Sequence, residues 1–255
     1  MNERELLFTE VLDCTRTELY TGKGLSLDKK QSRRIARALK RRVLGEPLQY
    51  ILGRLEFMGL EFKLNPDVFI PRPETEILVE KVIDIAHSAE RIADRLNLLE
   101  IGTGSGCIAV SLAKLLPNAK ITATDISERA LQVARENARL NNVEARITFL
   151  KSDVFTHNAV RRRRYDLIIS NPPYVASDEI DQLQPEVQRE PRIALDGGRD
   201  GLDFYRRIVA EAAHHLKTSG LLILELGFRQ RDAVESLLRD SGDFKVFECV
   251  KDYNQ

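Results

Sequence analysis

Leu98-Leu99-Glu100-Ile101-Gly102-Thr103-Gly104-Ser105-Gly106 is the stretch that decides the fold of this 255-residue chain. A short apolar run enters glycines at every second position, and helical periodicity begins inside the glycines, so a buried strand turns at once into a helix. Backbone without side chains at such a turn can come close to a ligand. A dinucleotide fingerprint would place its third glycine or alanine three residues after the second, and that position is Cys107. The loop is of another kind.

Outward from this turn, strands and helices alternate as a parallel α/β sheet requires: strand 96–101, helix 105–116, strand 119–124, helix 127–140, strand 146–150 and strand 165–170. After a long connection come helix 203–217, strand 220–226, helix 229–240 and a last strand near 243–249. Upstream, residues 1 to about 50 carry helical periodicity, with Leu6, Leu7, Val11 and Leu12 in one segment and Ile35, Leu39 and Val43 in another. Ser26 can cap the second of these helices, and Gly45-Glu46-Pro47 breaks it. Leu55-Glu56-Phe57 and Leu60-Glu61-Phe62-Lys63-Leu64 alternate about Met58-Gly59, the pattern of a hairpin that could serve as a hinge. Pro71-Arg72-Pro73 then opens a helix through Glu74, Ile77, Leu78, Val82 and Ile85. The expected division is a helical docking part over 1–53, a hairpin linker over 54–73 and the α/β part over 74–255.

The carboxyl ends of parallel strands are where open α/β sheets bind ligands, and three such ends carry polar signals. Thr124-Asp125 closes the second strand about twenty residues after the glycines, where Asp125 can accept both hydroxyls of a ribose, since Ser127 is equally able to cap the next helix. Ser152-Asp153-Val154-Phe155 follows the third strand, where Asp153 could meet a ligand with Val154 packed beside it; an Asx-turn is the alternative for Asp153. Tyr165-Asp166-Leu167-Ile168-Ile169-Ser170 runs into Asn171-Pro172-Pro173-Tyr174. Consecutive prolines cannot extend a sheet ladder, so the strand must stop at Asn171. An amide or exocyclic amine nitrogen is a poor nucleophile because its lone pair is drawn into the adjacent π system. The Asn171 side-chain oxygen and the Pro172 carbonyl can accept its two N–H hydrogens and aim the lone pair at an electrophile, with Tyr174 flanking the plane.

With Glu100 ahead of it, the glycine run resembles the first motif of class I methyltransferases that use S-adenosylmethionine. More specifically, nearly the whole chain is similar to the HemK-type glutamine N5-methyltransferases of peptide-chain release factors. The resemblance rests on Gly45 to Gly53, Pro71-Arg72-Pro73-Glu74-Thr75-Glu76, Ile101 to Gly106, Ser170 to Tyr174, Glu190-Pro191 and Gly197 to Leu202, in that order. It implies a seven-stranded, Rossmann-like methyltransferase sheet with a small N-terminal helical domain joined by the hairpin. It also implies methyl transfer to the glutamine amide of the Gly-Gly-Gln loop in class I release factors, leaving S-adenosylhomocysteine. Gly102, Thr103, Gly104, Ser105 and Gly106 would hold the methionyl end of the cofactor, Asp125 the ribose, and Asp153 with Val154 the adenine. Asn171, Pro172, Pro173 and Tyr174 would hold the glutamine, with Asn171, Pro172 and Tyr174 catalytic and Asn171 also bordering the cofactor. Arg72, Glu74 and Thr75 could border the pocket. The expected chemistry is in-line displacement without a metal or a general base from these motifs, driven mostly by orientation.

Composition fits this reading. Lys+Arg and Asp+Glu balance at 39 each, so nothing global favours a polyanion, a protein partner or small molecule fits better, and no stable nucleic-acid partner is expected. Cys14, Cys107 and Cys249 are too few and too far apart for a disulfide framework or a zinc site. A soluble, cytoplasmic monomer is expected, with no membrane contact. The helical part is shorter than the family's usual one. Residues 175–200 form a long acidic connection of the kind that covers a substrate. Arg161-Arg162-Arg163-Arg164 belongs to a solvated turn away from the pocket, while Arg33, Arg34, Arg37, Lys40, Arg41 and Arg42 make a basic stripe that could meet the ribosome or an acidic partner. The rival activity is an N6-adenine or N2-guanine nucleic-acid methyltransferase, which would use a similar acceptor pocket on a flipped base. A rival of another class is a non-catalytic module that binds release factors.

Overall fold

The computed structural model describes residues 3–22, 27–88, 96–245 and 248–250. The chain begins with α1 (Glu3–Leu12), α2 (Arg16–Thr21), α3 (Lys29–Val43) and α4 (Leu48–Leu52). Ser26 lies outside the described residues; the cap of α3 is Asp28, in a reciprocal capping box with Gln31. Leu39 and Val43, expected on the apolar stripe with Ile35, are exposed. The buried face of α3 is Ile35 with Ala38, packed against Leu7, Val11 and Leu48, because α1 and α4 cover that side of the helix and leave the next one to solvent. Gly45, at φ +80°, ends α3 as its sequence suggests.

A hairpin follows, β1 (Arg54–Phe57) against β2 (Leu60–Lys63), turning through Met58 and Gly59, both at positive φ. Phe57 and Phe62 are buried, meet edge to face at 6.1 Å and join the core of the α/β part. Fully burying such a side chain is worth roughly 1.5–3 kcal/mol, so the hairpin is anchored as well as connecting.

The remaining elements are α5 (Glu74–Ser88), β3 (Asn97–Ile101), α6 (Cys107–Leu115), β4 (Lys120–Asp125), α7 (Glu128–Leu140), β5 (Ile147–Lys151), α8 (Asn158–Arg161), β6 (Tyr165–Ser170), α9 (Asp203–His215), β7 (Leu216–Leu224) and α10 (Arg231–Ser241). Among the described residues the main sheet has five parallel strands in the order β5-β4-β3-β6-β7. The count of seven is not reached there. The last strand expected near 243–249 includes residues 246 and 247, outside the described residues, and the described positions of that stretch carry no strand.

Successive residues of a strand face opposite sides, and the central strands are apolar on both. Leu98, Leu167 and Ile169 enter a core beneath α5 and α6. Leu99 and Ile168 enter a second core with Ile208 and Ala212 of α9. Helix α9 stops at His215 rather than 217, and β7 starts directly at Leu216. Leu216 pairs with Tyr165 while Leu221 pairs with Leu167, so the residues between, including Ser219 at φ +63°, form a bulge that looks like a loop in sequence. No helix among the described residues is long and apolar enough to cross a membrane.

The order of strands reverses between β3 and β6. Successive units leave β3 toward β4 and β5 on one side and toward β6 and β7 on the other, which opens a crevice at the carboxyl ends of the two central strands.

Candidate active site

A cavity of about 430 Å³ occupies that crevice, within the usual range for small-molecule sites. Gly102, Thr103, Gly104, Ser105, Asp125, Asp153, Val154, Asn171, Pro172, Pro173 and Tyr174 all line it, as do Arg72 and Thr75. Gly106 and Glu74 are not on its wall. Gly106 sits behind the loop at φ +82°, and a Cβ there would lie 3.0 Å from the Ala134 Cβ, so this glycine serves the close approach of α6 to α7.

The loop after β3 is built rigidly. Gly102 and Thr103 both donate backbone N–H bonds to the Thr124 carbonyl at 2.9 Å. Asp125 accepts from the Gly104 N–H through Oδ2 and from the Ser127 N–H through Oδ1, each at 2.9 Å. Ser127 caps α7 by accepting from the Ala130 N–H, as anticipated, but Asp125 is not idle: it ties the glycine loop to β4. Burial raises its titration, and the backbone N–H groups hold it back.

Glu100 lies beneath the loop, wholly buried. Its Oε2 accepts from the Thr103 hydroxyl at 2.7 Å, while Oε1 has no hydrogen-bond partner. Burial pushes this carboxyl up to about 8. An orphaned buried oxygen beside a cavity costs free energy, and an N–H-bearing group arriving there would satisfy it. Val154, at φ +51°, turns its side chain into the wall, and Asp153 is paired with Arg207 at 2.6 Å.

Asn171 sits at the end of β6, with its backbone carbonyl 4.0 Å from where a Cβ on Gly102 would stand, so glycine loop and Pro-Pro turn meet in one cavity. Its Nδ2 donates to the Thr75 hydroxyl at 3.3 Å. Ser170 donates to the Ile101 carbonyl at 2.8 Å and locks the two strand ends together. Burial pushes the Tyr174 phenol up to about 12, so its ring is a neutral wall at ordinary pH.

Residues 175–200 are ordered as short 3-10 turns, Ile180–Gln182, Val187–Arg189 and Arg192–Ala194, and Leu183, Val187, Pro191, Ile193, Ala194 and Leu195 complete the cavity wall. The returning end packs on the Pro-Pro turn. A Cβ on Gly197 would lie 2.8 Å from both the Pro173 carbonyl and the Tyr174 Cα, so only glycine fits. The segment is latched at its middle by Glu190, buried, which pairs with Arg72 and accepts from the Ile70 N–H at 2.9 Å. It also reaches the helical part: Arg42 bridges Glu186 at 2.7 Å and Glu3 at 3.0 Å, and Arg189 donates to the Leu44 carbonyl. Arg41 pairs with Glu46, leaving Arg33, Arg34, Arg37 and Lys40 as the exposed part of the basic stripe. Arg161 to Arg164 are exposed at the opposite end of β6 from the cavity.

Sequence reasoning did not single out Phe69, Phe204 and Arg207 on the wall, nor Glu225 just past β7. An acid closing an apolar strand at the sheet's carboxyl edge is the signal that would have found Glu225.

Residues 74–190 match the methyltransferase small domain, and residues 2–53 match the PrmC N-terminal domain. The release factor glutamine methyltransferase of Koribacter versatilis is 42% identical over 244 residues, covering 95% of this chain and 84% of that protein. That of Thermodesulfovibrio yellowstonii is 41% identical over 253 residues, covering 99% and 88%. Among solved structures, a methyltransferase from Pyrococcus furiosus aligns with a TM-score of 0.52 at 23% identity, over 83% of this chain and 88% of that one. The hMettl16 catalytic domain, solved with a MAT2A 3'UTR hairpin, aligns at 0.58 and 19% identity, over 86% and 74%. Likeness at those identities speaks to the fold alone, an α/β methyltransferase fold. Sequence identity across almost its full length places this chain in the release factor glutamine methyltransferase family.

Proposed function

We propose that this protein methylates the side-chain amide nitrogen of the glutamine in the Gly-Gly-Gln loop of class I release factors, with S-adenosylmethionine as donor and S-adenosylhomocysteine as product. The observation that carries the reading is the meeting of the Gly102 loop and the Asn171 turn in one cavity. When bound, the cofactor supplies a methyl group on a sulfonium. The residues present suit it: the orphaned Glu100 Oε1 offers an acceptor below the glycine loop, Asp125 stands at the next strand end for the ribose, and Val154 with Asp153 lies farther along for the adenine.

The chain's own residues act on the glutamine. Asn171 Oδ1 and the Pro172 carbonyl accept the two amide hydrogens, which holds the nitrogen with its lone pair toward the glycine loop. Tyr174 and Pro173 flank the amide plane, and the apolar side chains of residues 183–195 exclude water around it. Positioning of this kind supplies several kcal/mol of rate enhancement. The nitrogen–methyl bond forms as the methyl–sulfur bond breaks, and the nitrogen then gives up one of its two protons to water and keeps the other.

In this reading residues 1–53 dock the partner through the exposed basic face of α3, residues 54–73 link and anchor, and residues 74–255 perform the chemistry on a sheet completed to seven strands. The protein acts as a cytoplasmic monomer without stable nucleic-acid contact. The deciding experiment incubates the protein and labelled S-adenosylmethionine with a release factor and with its loop Gln-to-Ala variant. Label in the first alone is expected; label in both, or only in added DNA, refutes the assignment. Asn171→Ala should lower turnover far more than cofactor affinity, read by methylation rate and calorimetry.

A further inference from the structure

We propose that Gln230 is a positioning residue for the acceptor pocket: its side-chain amide holds Tyr174 in the place from which the ring flanks the substrate glutamine. The inference rests on the reading of Tyr174 as a wall of the acceptor amide.

Gln230 stands just ahead of α10, yet its side chain does not cap that helix. It turns instead toward the end of the Pro-Pro turn, where three segments distant in the chain meet. Its Nε2 donates to the Tyr174 carbonyl at 2.9 Å and to the Gly201 carbonyl at 3.3 Å, and its Oε1 accepts from the Gly227 N–H at 3.1 Å. A backbone N–H can only donate and a carbonyl can only accept, so the reversed amide would lose all three bonds and its orientation is fixed. One side chain thereby ties the acceptor turn, the returning end of the covering segment and the turn after β7.

The packing around that amide is close. A Cβ on Gly201, at φ +72°, would stand 2.6 Å from the Gln230 Nε2 and collide with the Tyr174 carbonyl. A Cβ on Gly227 would stand 2.8 Å from the Tyr174 Cδ2, so the ring lies directly on the Gly227 backbone. Pro172 and Pro173 have no N–H to donate, which leaves this turn to be anchored mainly through carbonyls. The next residue is held by the covering segment: Val175 donates to the Leu195 carbonyl at 2.9 Å and accepts from the Gly197 N–H at 2.8 Å. Gln230 supplies the hold on Tyr174 itself. Without it the Tyr174 carbonyl loses this donor, Gly227 loses its acceptor, and the ring is free to leave the cavity wall that it forms. A displacement of about 1 Å beside reacting atoms can cost roughly a hundred-fold in rate.

The test measures single-turnover methylation of a release factor at pH 8 and saturating cofactor, with release factor varied, for the parent protein, Gln230→Leu, Gln230→Glu, Tyr174→Ala and the double variant Gln230→Leu with Tyr174→Ala. Gln230→Leu keeps much of the volume without polar atoms, and Gln230→Glu keeps the shape and the acceptor but sets a carboxylate against two carbonyls. Both should lose roughly ten- to a hundred-fold in the rate at saturating release factor, with KM changed by less than about three-fold because the rest of the partner still docks. Since Gln230 acts through Tyr174, the double variant should run within about two-fold of Tyr174→Ala alone. Cofactor affinity by calorimetry should stay within about two-fold of the parent throughout. Gln230 variants at the parent's rate beside a slow Tyr174→Ala, or losses that multiply in the double variant, overturn the positioning role and leave the acceptor pocket standing. Loss of cofactor binding in both Gln230 variants makes Gln230 a residue of the fold and overturns the role as well. Tyr174→Ala at the parent's rate overturns both the inference and the reading of Tyr174 on which it rests.

Discussion

Asn137 offers a sharp test of how the glycine loop is held. This side chain of α7 is fully buried and brackets two distant segments: its Nδ2 donates to the Ser105 carbonyl at 2.8 Å and to the Lys63 carbonyl at 3.0 Å, and its Oδ1 accepts from the Lys63 N–H at 2.7 Å. Asn137→Ala strands the Ser105 carbonyl, which lies too deep for water to replace the donor, at about 1–3 kcal/mol. The two bonds to Lys63 add about 1 kcal/mol each where solvent makes up part of the loss. With the void left behind, the sum is about 3–5 kcal/mol. At roughly 2–4 °C per kcal/mol for a chain of this size, Tm should drop by about 10 °C, read by circular dichroism without cofactor. Asn137→Asp keeps the acceptor but sets a carboxylate against two carbonyls, so it should melt no higher than Asn137→Ala at pH 8 and recover toward pH 5, where a protonated carboxyl can donate again. Because Ser105 sits between Gly104 and Gly106, cofactor affinity should fall in both variants. An Asn137→Ala protein melting within about 2 °C of the parent would refute the bracket.

Three further outcomes are expected. Gly106→Ala introduces positive-φ strain and a Cβ 3.0 Å from that of Ala134, so it should cost about 2–4 kcal/mol in denaturant unfolding, and Ala134→Gly in the same chain should recover the steric part but not the φ part. Glu100 carries a proton in the native protein up to about 8 that the unfolded chain releases above its ordinary 4.5; the native state binds more protons in that window, so stability falls as pH rises through it. Glu100→Gln should flatten that fall in the cofactor-free protein, removing a slope of up to about 1.4 kcal/mol per pH unit seen in urea titrations. Glu190→Ala frees Arg72 and the Ile70 N–H and unlatches residues 183–195, which should raise KM for the release factor by roughly ten-fold while S-adenosylmethionine affinity, measured by calorimetry, changes far less.

Much of the site is local and so was readable from residues alone. Buried parallel strands must be apolar on both faces, which marks β3 and β6, and the glycines and prolines that end them have only a few conformations to choose from. The alternation of strands with helices gave the fold class for the same reason. Where the reading slipped, the deciding contact lay elsewhere in the chain. Leu39 and Val43 have helical spacing with Ile35, but which face of α3 is buried depends on where α1 and α4 come to rest. The bulge in β7 looks like a loop until Tyr165 and Leu167 set the register against it.

The sequence by itself determined the strand ends, the glycine turn, the Pro-Pro stop and, through its likeness to a family, the reaction, because each is carried by a few adjacent residues under steric limits. Tertiary structure alone decided that Gly106 serves helix packing instead of the cavity wall, that Glu190 latches the covering segment to Arg72, and that Glu225 stands beside Asn171. Those relations join residues far apart in the chain, and no local pattern encodes the strand register and crossover that bring them within hydrogen-bond reach.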